Sequence, residues 1–333
     1  MSGPAADGLS PAPDGLAAAA GVAGVTRVAV VGTGLIGARW AAYFLARGLD
    51  VSATDPAPGA EQALRGVVAR CWPALERLGL APGASPERLR FAASLEEVVR
   101  DAGFVQENLP DDEDLKVAVL AAVDAACPRH TVIASSTSGI LPTLLQSRCA
   151  HPERVLAGHP SNPAHILPLV EVVAGERTAP EAVAQAMAFY RALGKRPLHV
   201  RREAPGFVMN RLQEAVWREM FHLVNDDIAT CAELDASITD GCGMRWALFG
   251  PAFVYLLQGG PGGMAWALDQ FDPERIPDWS HNAYPEITPE LKQRLDEQTA
   301  AQAAGRTLEE WEALRDEFLV RVMELKRELF GEY

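Results

Sequence analysis

Arg27-Val28-Ala29-Val30-Val31 runs without a break into Gly32-Thr33-Gly34-Leu35-Ile36-Gly37, and the reading of this stretch decides the fold. R-V-A-V-V is a short β-branched run, suited to a strand buried on both faces of a parallel sheet. Ala38 to Arg47 (A-R-W-A-A-Y-F-L-A-R) follows, rich in helix formers, and Gly48 is placed as its C-cap. Leu49 to Thr54 is a second strand-like run and ends in Asp55. Strand, turn, helix and strand within about thirty residues make one βαβ unit.

The turn has the spacing G-x-G-x-x-G. That pattern is weak alone, but here it follows a strand and opens a helix, the context a dinucleotide-binding turn requires. Gly32 allows the tight turn, Gly34 lets the backbone approach a pyrophosphate, and Gly37 lets helix and strand pack closely. Leu35 and Ile36 stand in the turn that opens the helix, whose N-terminal free N–H groups and partial positive charge favour phosphate. Asp55, 18 residues beyond Gly37, is placed to accept ribose hydroxyls and to repel a 2′-phosphate, which favours NAD over NADP. Ordinary turn glycines with a turn aspartate are the bland alternative, and FAD enzymes share the fingerprint.

Outward from this unit the alternation continues. Phe104-Val105 heads a strand, Leu115 to Ala126 reads as a helix, and Thr131 to Ala134 is a buried strand followed by Ser135-Ser136-Thr137-Ser138. Val155 to Ala157 leads to Gly158-His159-Pro160, and Leu169 to Val173 (L-V-E-V-V) is strand-like again. Such alternation predicts a mostly parallel, doubly wound sheet. Near Arg201 the character changes and the chain reads as helical. Pro205-Gly206 is expected to open a helix, and Val208, Leu212, Val216 and Met220 form an apolar stripe along it. Thr230 with Glu233, and Thr307 with Glu310, have capping-box spacing. The Pro-rich stretch Phe271 to Pro289 reads as a loop. The expectation is an α/β fold: a disordered tail at 1–25, a Rossmann-type NAD-binding domain at 26–201, and an all-α domain at 202–333 for substrate and dimerisation.

Bulk properties narrow the function. The chain has 333 residues, is 48% hydrophobic and carries a formal net charge of −14 without a long basic run. Nucleic-acid backbones need clustered Lys and Arg, so such a partner is not expected. No apolar run is long enough to span a bilayer. The first 25 residues carry two Asp and no Lys or Arg, which does not fit a secretory signal. Cys71, Cys127, Cys149, Cys231 and Cys242 form no C-x-x-C pair. Neither a disulfide framework nor a metal site is therefore expected, and a reducing cytoplasm fits.

Oxidation of an alcohol carbon needs a group that takes the hydroxyl proton, and a histidine suits this near neutral pH. Of the seven His, His159 is best placed, in a strand-end loop at the carboxyl edge of the sheet, where doubly wound folds bind ligands. Glu171, 12 residues later, lies inside an apolar strand, where a lone carboxylate is costly unless paired. A His159–Glu171 pair would satisfy it and fix the imidazole tautomer. A structural loop histidine is the alternative. Ser138, ending the S-S-T-S turn, and Asn210, next to the apolar stripe, have groups able to hold a substrate oxygen. Both also suit local hydrogen bonding. Arg245 offers a fork for a free carboxylate, and Trp246 and Trp217 offer aromatic faces to a cation. A structural ion pair and core tryptophans explain these residues equally well.

G-T-G-L-I-G, S-S-T-S, G-H-P-S-N-P, P-L-V-E-V and A-P-G-F-V-M-N-R-L together resemble the L-3-hydroxyacyl-CoA dehydrogenase superfamily, from about residue 26 onward. The resemblance implies His159 as general acid/base and Glu171 as its orienting partner. Ser138 and Asn210 complete the active site, and Asp111, Lys116 and Ser136 belong to the cofactor side. G-M-R-W-A-L-F-G-P at 243–251 and the long helical C-terminus resemble the branch containing carnitine 3-dehydrogenase, L-gulonate 3-dehydrogenase and diketoreductase. D-P-A-P-G-A-E-Q-A-L-R, E-A-V-W-R-E and H-L-V-N-D-D-I-A-T are closest to the carnitine enzymes. Ser161 stands where that branch has Phe, and Asn210 where many carnitine enzymes have Asp. The expected activity is NAD-dependent interconversion of a 3-hydroxy and a 3-oxo group on a small carboxylic acid. The expected assembly is a homodimer. A 3-hydroxyacyl-CoA dehydrogenase, a gulonate 3-dehydrogenase or ketoreductase, and a non-catalytic NAD-binding protein are the alternatives.

Overall fold

The computed structural model describes residues 24–270, 280–303 and 305–331. Packing divides them into two compact units, one of residues up to Val208 together with Glu312 onward, the other Met209–Trp311.

The first unit is built on an eight-stranded sheet: β1 (Arg27–Val31), β2 (Asp50–Thr54), β3 (Leu89–Phe91), β4 (Phe104–Glu107), β5 (Val132–Ser135), β6 (Val155–Pro160), β7 (Leu169–Ala174) and β8 (Arg196–Val200). Spatial order is β3-β2-β1-β4-β5-β6-β7-β8. Six strands are parallel through β6; β7 then pairs antiparallel with β6, and β8 runs parallel to β7. The order reverses between β1 and β4, the crevice where doubly wound sheets place ligands.

Helices α1 (Leu35–Ala46), α2 (Ala60–Arg77), α3 (Leu95–Val99), α4 (Glu113–Ala126), α5 (Pro142–Leu145) and α6 (Pro180–Ala192) connect the strands. Alternate residues of β1 face opposite layers. Val28 and Val30 join Trp40, Phe44, Leu64 and Phe189, whereas Ala29 and Val31 join Val99, Leu120, Val123 and Leu145. Burial on both faces explains why β1 reads as an unbroken apolar run.

The helical expectations hold with shifted ends. α1 starts inside the glycine turn, at Leu35, and Gly48 takes φ +77° beyond its C-terminus. β8 was not expected: it contains Pro197 and is half exposed, features of an edge strand with weak apolar patterning. Val25, within the expected tail, packs against the core. The rest of the expected tail, 1–23, lies outside the described residues.

The second unit holds α7 (Met209–Asn225), α8 (Cys231–Ser237), α9 (Gly243–Leu248), α10 (Pro251–Gln258), α11 (Gly263–Gln270), α12 (Pro289–Ala303) and the start of α13 (Leu308–Phe330). Val224, Cys231 and Leu291 form its buried cluster. Thr230 and Glu233 cap each other reciprocally, and so do Thr307 and Glu310. Of the Pro-rich stretch, 271–279 lies outside the described residues and 280–288 is neither helix nor strand. Among the described residues no helix is long and apolar enough to cross a membrane.

Two expectations are corrected. Pro205-Gly206 does not open a helix: Gly206 and Phe207 take φ +71° and +50°, left-handed backbone that a helix excludes, and α7 begins at Met209. Asn210 is therefore the second residue of its helix. The unit boundary also falls after Val208 rather than at 201/202, because Phe207 is buried with Ala157, Val173 and Val200. Residues from Glu312 pack with the α/β unit instead of the helical one. Val320 and Met323 share a cluster with Leu78 and Ile166, Arg39 Nη2 donates to Glu312 at 2.9 Å, and Arg327 Nη1 donates to the Leu78 carbonyl at 3.0 Å.

Candidate active site

The glycine turn sits where β1 meets β4. Gly32 has φ +85°, its N–H donates to the Thr54 carbonyl at 2.9 Å, and a Cβ there would meet the Asn108 backbone at 2.9 Å. A Cβ on Gly37 would lie 2.0 Å from the Gly32 carbonyl oxygen. Gly34 differs: nothing lies within 4 Å of a Cβ built on it, and it stands at the N-terminus of α1. Gly32 and Gly37 are thus required by the protein itself, whereas Gly34 keeps open space at a helix N-terminus. Leu35 is more than half exposed beside it. Asp55, at the end of β2, accepts from Thr33 N–H (2.7 Å) and Ala57 N–H (2.9 Å). A hollow of about 530 Å³ lined by Ala57, Gly59, Gln62, Arg65 and Phe91 opens on the same edge.

Next along the carboxyl edge lies the S-S-T-S turn. Ser136 Oγ donates to Asn108 Oδ1 (2.7 Å) and accepts from Gln106 Nε2 (2.8 Å). Gln106 is fully buried, also donates to the Gly158 carbonyl, and accepts from the Tyr190 hydroxyl at 2.6 Å. Ser138 N–H donates to Asp111 Oδ2 at 3.0 Å. Lys116 is fully enclosed: Nζ donates to Glu107 Oε1 at 2.8 Å and lies 3.6 Å from Asp111 Oδ1. Glu107, also fully enclosed, further accepts from the Leu109 N–H and the Ser135 hydroxyl. Sequence reasoning missed Glu107 and Gln106. Their signal was two polar residues ending the strand F-V-Q-E, as costly there as Glu171 in its own strand.

His159 and Glu171 are direct cross-strand partners in the β6–β7 ladder. His159 Nδ1 lies 2.9 Å from Glu171 Oε2, and Glu171 Oε1 accepts from Val208 N–H at 2.9 Å. The carboxylate is fully buried and the imidazole 5% exposed. A carboxylate only accepts, so Nδ1 carries the hydrogen and Nε2 presents a lone pair. The Phe207 ring lies 5.7 Å from the imidazole. Only the left-handed backbone of Gly206 and Phe207 brings Phe207 and the Val208 N–H back onto this pair. The pairing thus follows expectation, and the turn that seals it was unforeseen.

The remaining expected residues belong to the helical unit. Asn210 stands at the start of α7, and Arg245 and Trp246 lie in α9, both exposed.

Comparison with known proteins fits this geometry. The 3-hydroxyacyl-CoA dehydrogenase NAD-binding domain matches residues 27–204, and the C-terminal domain of the same family matches 206–304. The chain belongs to the 3-hydroxyacyl-CoA dehydrogenase family. It is 52% identical over 300 residues to an L-carnitine dehydrogenase of Pseudomonas aeruginosa, covering 90% of this chain and 94% of the relative. An L-carnitine dehydrogenase of Streptomyces griseus is 51% identical over 310 residues, covering 93% and 92%. Among solved structures, 5-formyl-3-hydroxy-2-methylpyridine 4-carboxylic acid 5-dehydrogenase, an NAD+-dependent dismutase, aligns with TM-score 0.77 and 30% identity over 93% of this chain and 100% of its own. The 3-hydroxybutyryl-CoA dehydrogenase of Escherichia coli aligns with TM-score 0.60 and 28% identity over 78% of this chain and 54% of its own. The chain is accordingly an NAD-dependent oxidoreductase. The residues fit that cofactor: an open glycine at a helix N-terminus suits the pyrophosphate, and the Asp55 carboxylate suits an unphosphorylated ribose.

Proposed function

We propose that the chain oxidises L-carnitine to 3-dehydrocarnitine with NAD+, using His159 as general base. The observation that carries this reading is the half-identity to L-carnitine dehydrogenases over nine-tenths of both chains. NAD+, held along Gly32 to Gly37 with its ribose on Asp55, supplies the hydride acceptor. His159 Nε2 takes the hydroxyl proton as the carbonyl forms. Glu171 holds the tautomer and stabilises the imidazolium that results. Ser138 and Asn210 hydrogen-bond the substrate oxygen as charge develops on it. Asp111 fixes the Ser138 backbone and, with Ser136 and Lys116, shapes the cofactor side. Arg245 takes the substrate carboxylate bidentately, and Trp246 offers an aromatic face to the quaternary ammonium group.

NADH formation followed with L-carnitine, L-gulonate and 3-hydroxybutyryl-CoA side by side tests the assignment. A kcat/KM highest for carnitine supports it, and a preference for the CoA ester or the sugar acid overturns it. The proposed assembly is a homodimer, supported by exposed Leu212, Val216 and Trp217 on α7 and Phe253 and Leu257 on α10. Light scattering at micromolar concentration decides between one chain and two. Five unpaired cysteines support work in a reducing cytoplasm.

A further inference from the structure

We propose that His222, Asp226 and His281 form a binding site for one divalent transition-metal ion of the zinc class, within the helical unit and separate from the dehydrogenase residues. Each of the three offers a ligand atom, and these atoms all lie within 4.8 Å of one another. His222 and Asp226 are four apart at the C-terminal end of α7, so they share a helix face, and Asp226 N–H still donates to the His222 carbonyl at 2.9 Å. His281 comes from the 280–288 segment, and its ring stacks on His222 with centroids 3.6 Å apart and planes 13° apart.

The hydrogen bonds already made assign the tautomers. His222 Nε2 lies 2.8 Å from the Ala283 carbonyl oxygen, which only accepts, so Nε2 carries the hydrogen and Nδ1 keeps its lone pair. His281 Nδ1 lies 3.2 Å from Glu219 Oε2, so its Nε2 keeps its lone pair. One ring donates to a backbone carbonyl and the other to a carboxylate. These are the two outer partners that orient histidines on metals. Glu219 also accepts from His281 N–H at 2.9 Å, so the same carboxylate fixes both the backbone and the ring.

Two imidazoles and one carboxylate select zinc, copper or nickel over magnesium or calcium, which prefer all-oxygen sets. Zinc bonds of about 2.0–2.1 Å span ligand atoms roughly 3–4 Å apart, within reach of small rotations of these partly exposed side chains. A dication would also offset the negative charge of Asp226 and Glu219. Its structural consequence would be a clamp, because the ion joins α7 to a segment that Arg218 Nε already ties at the His281 carbonyl, 3.0 Å away. The site uses no cysteine, so the cysteine pattern gave no sign of it and the sequence-based expectation of no metal did not weigh it.

The test is calorimetric titration of the chelator-stripped full chain with Zn2+ in a non-coordinating buffer, with circular dichroism to verify each variant's fold. One equivalent is expected to bind and to raise the unfolding midpoint. His222→Ala and His281→Ala are each expected to weaken binding about 100-fold or more. Asp226→Asn and Glu219→Gln should weaken it about tenfold, as ligand and outer-partner losses do. Should a histidine variant misfold, Asp226→Asn, an exposed change, still decides through its affinity. Co2+ should give visible d–d absorption that the His222→Ala variant lacks. Absence of saturable binding, or undiminished binding in the His222→Ala/His281→Ala double variant, would overturn the proposal.

Discussion

His159 and Glu171 face each other across the antiparallel β6–β7 ladder, Nδ1 2.9 Å from Oε2, while the other oxygen of the carboxylate accepts the Val208 N–H. Both oxygens of Glu171 are thus committed, and the carboxylate cannot rotate without losing a buried partner. Replacing Glu171 with Gln keeps the shape but not the chemistry. The amide oxygen must stay on the Val208 N–H, so the NH2 faces His159 and forces Nδ1 to accept. Nε2 then carries the hydrogen and no longer serves as a base. Glu171→Gln and His159→Ala are each expected to lower kcat by about 10²- to 10⁴-fold. NADH affinity, read by fluorescence titration, should stay nearly unchanged in both. Wild-type turnover in either variant would remove His159 from its assigned role.

The glycines of the turn separate by mechanism. At Gly37 an added methyl collides with the Gly32 carbonyl at 2.0 Å, inside the protein itself. Gly37→Ala is expected to cost about 1–3 kcal/mol or more of stability, as overpacking does. At Gly34 the methyl meets nothing, and φ is −63°, which alanine adopts freely. Gly34→Ala should change stability by roughly 0.5 kcal/mol or less yet raise the KM for NAD+ about tenfold, equal to about 1.4 kcal/mol. Denaturant unfolding and initial-rate kinetics on the two variants check the contrast. An unaltered KM in Gly34→Ala would mean that the open space is not where the pyrophosphate lies.

A third prediction concerns the enclosed Glu107–Lys116 pair, 2.8 Å apart. Lys116→Met leaves Glu107 charged and buried, and Glu107→Gln leaves an enclosed ammonium with Asp111 at 3.6 Å. Breaking one side of a buried pair costs about 3–5 kcal/mol, whereas removing both charges costs far less. The double variant should therefore be more stable than the sum of the single losses, a positive coupling readable from unfolding midpoints. Because Asp111 also holds the Ser138 N–H, Lys116→Met should impair turnover beyond its effect on the folded fraction. Strict additivity of the two stability losses would show that the pair is not coupled.

The same pair marks where sequence reading stopped. β1, the glycine turn and α1 were legible because strand hydrophobicity and glycine spacing are local signals. His159 with Glu171 was legible because a carboxylate among valines demands a partner. Lys116 entered only through the family resemblance, and Glu107 was passed over although F-V-Q-E leaves two polar residues at a strand end. That the two are partners depends on the tertiary packing of α4 beside β4 and β5, which sets Glu107 next to Ser135 as well, and no local pattern encodes that. The return of residues from Glu312 to the α/β unit was hidden for the same reason, since Arg39 and Glu312 are 273 positions apart. β8 was hidden differently: an edge strand containing Pro197 lacks the apolar run of the buried strands.

The returning helix also gives a pH-dependent prediction. His165 is fully buried, its Nε2 3.3 Å from Asp316 Oδ2 on α13. Burial, reinforced by Arg39 and Lys195, lowers its pKa below the ordinary 6.5 despite the opposing pull of Asp316. For Asp316, burial alone would raise the pKa, but bonding with His165 and Arg315 holds it below the ordinary 3.8. A histidine whose folded pKa is lowered contributes stability that is complete above pH 6.5 and is lost as pH falls through the folded value. Asp316 contributes above pH 3.8, so it does not act in the same window. Between pH 7 and 5 the wild-type chain should therefore lose stability with a slope of at most about 1.4 kcal/mol per pH unit from this group. His165→Gln cannot titrate, so its unfolding midpoint should fall less steeply over that range, with the other histidines common to both proteins. Parallel midpoint-against-pH curves for the two would show that His165 takes up its proton as readily in the folded chain as in the unfolded one, and that its burial against α13 does not lower its pKa.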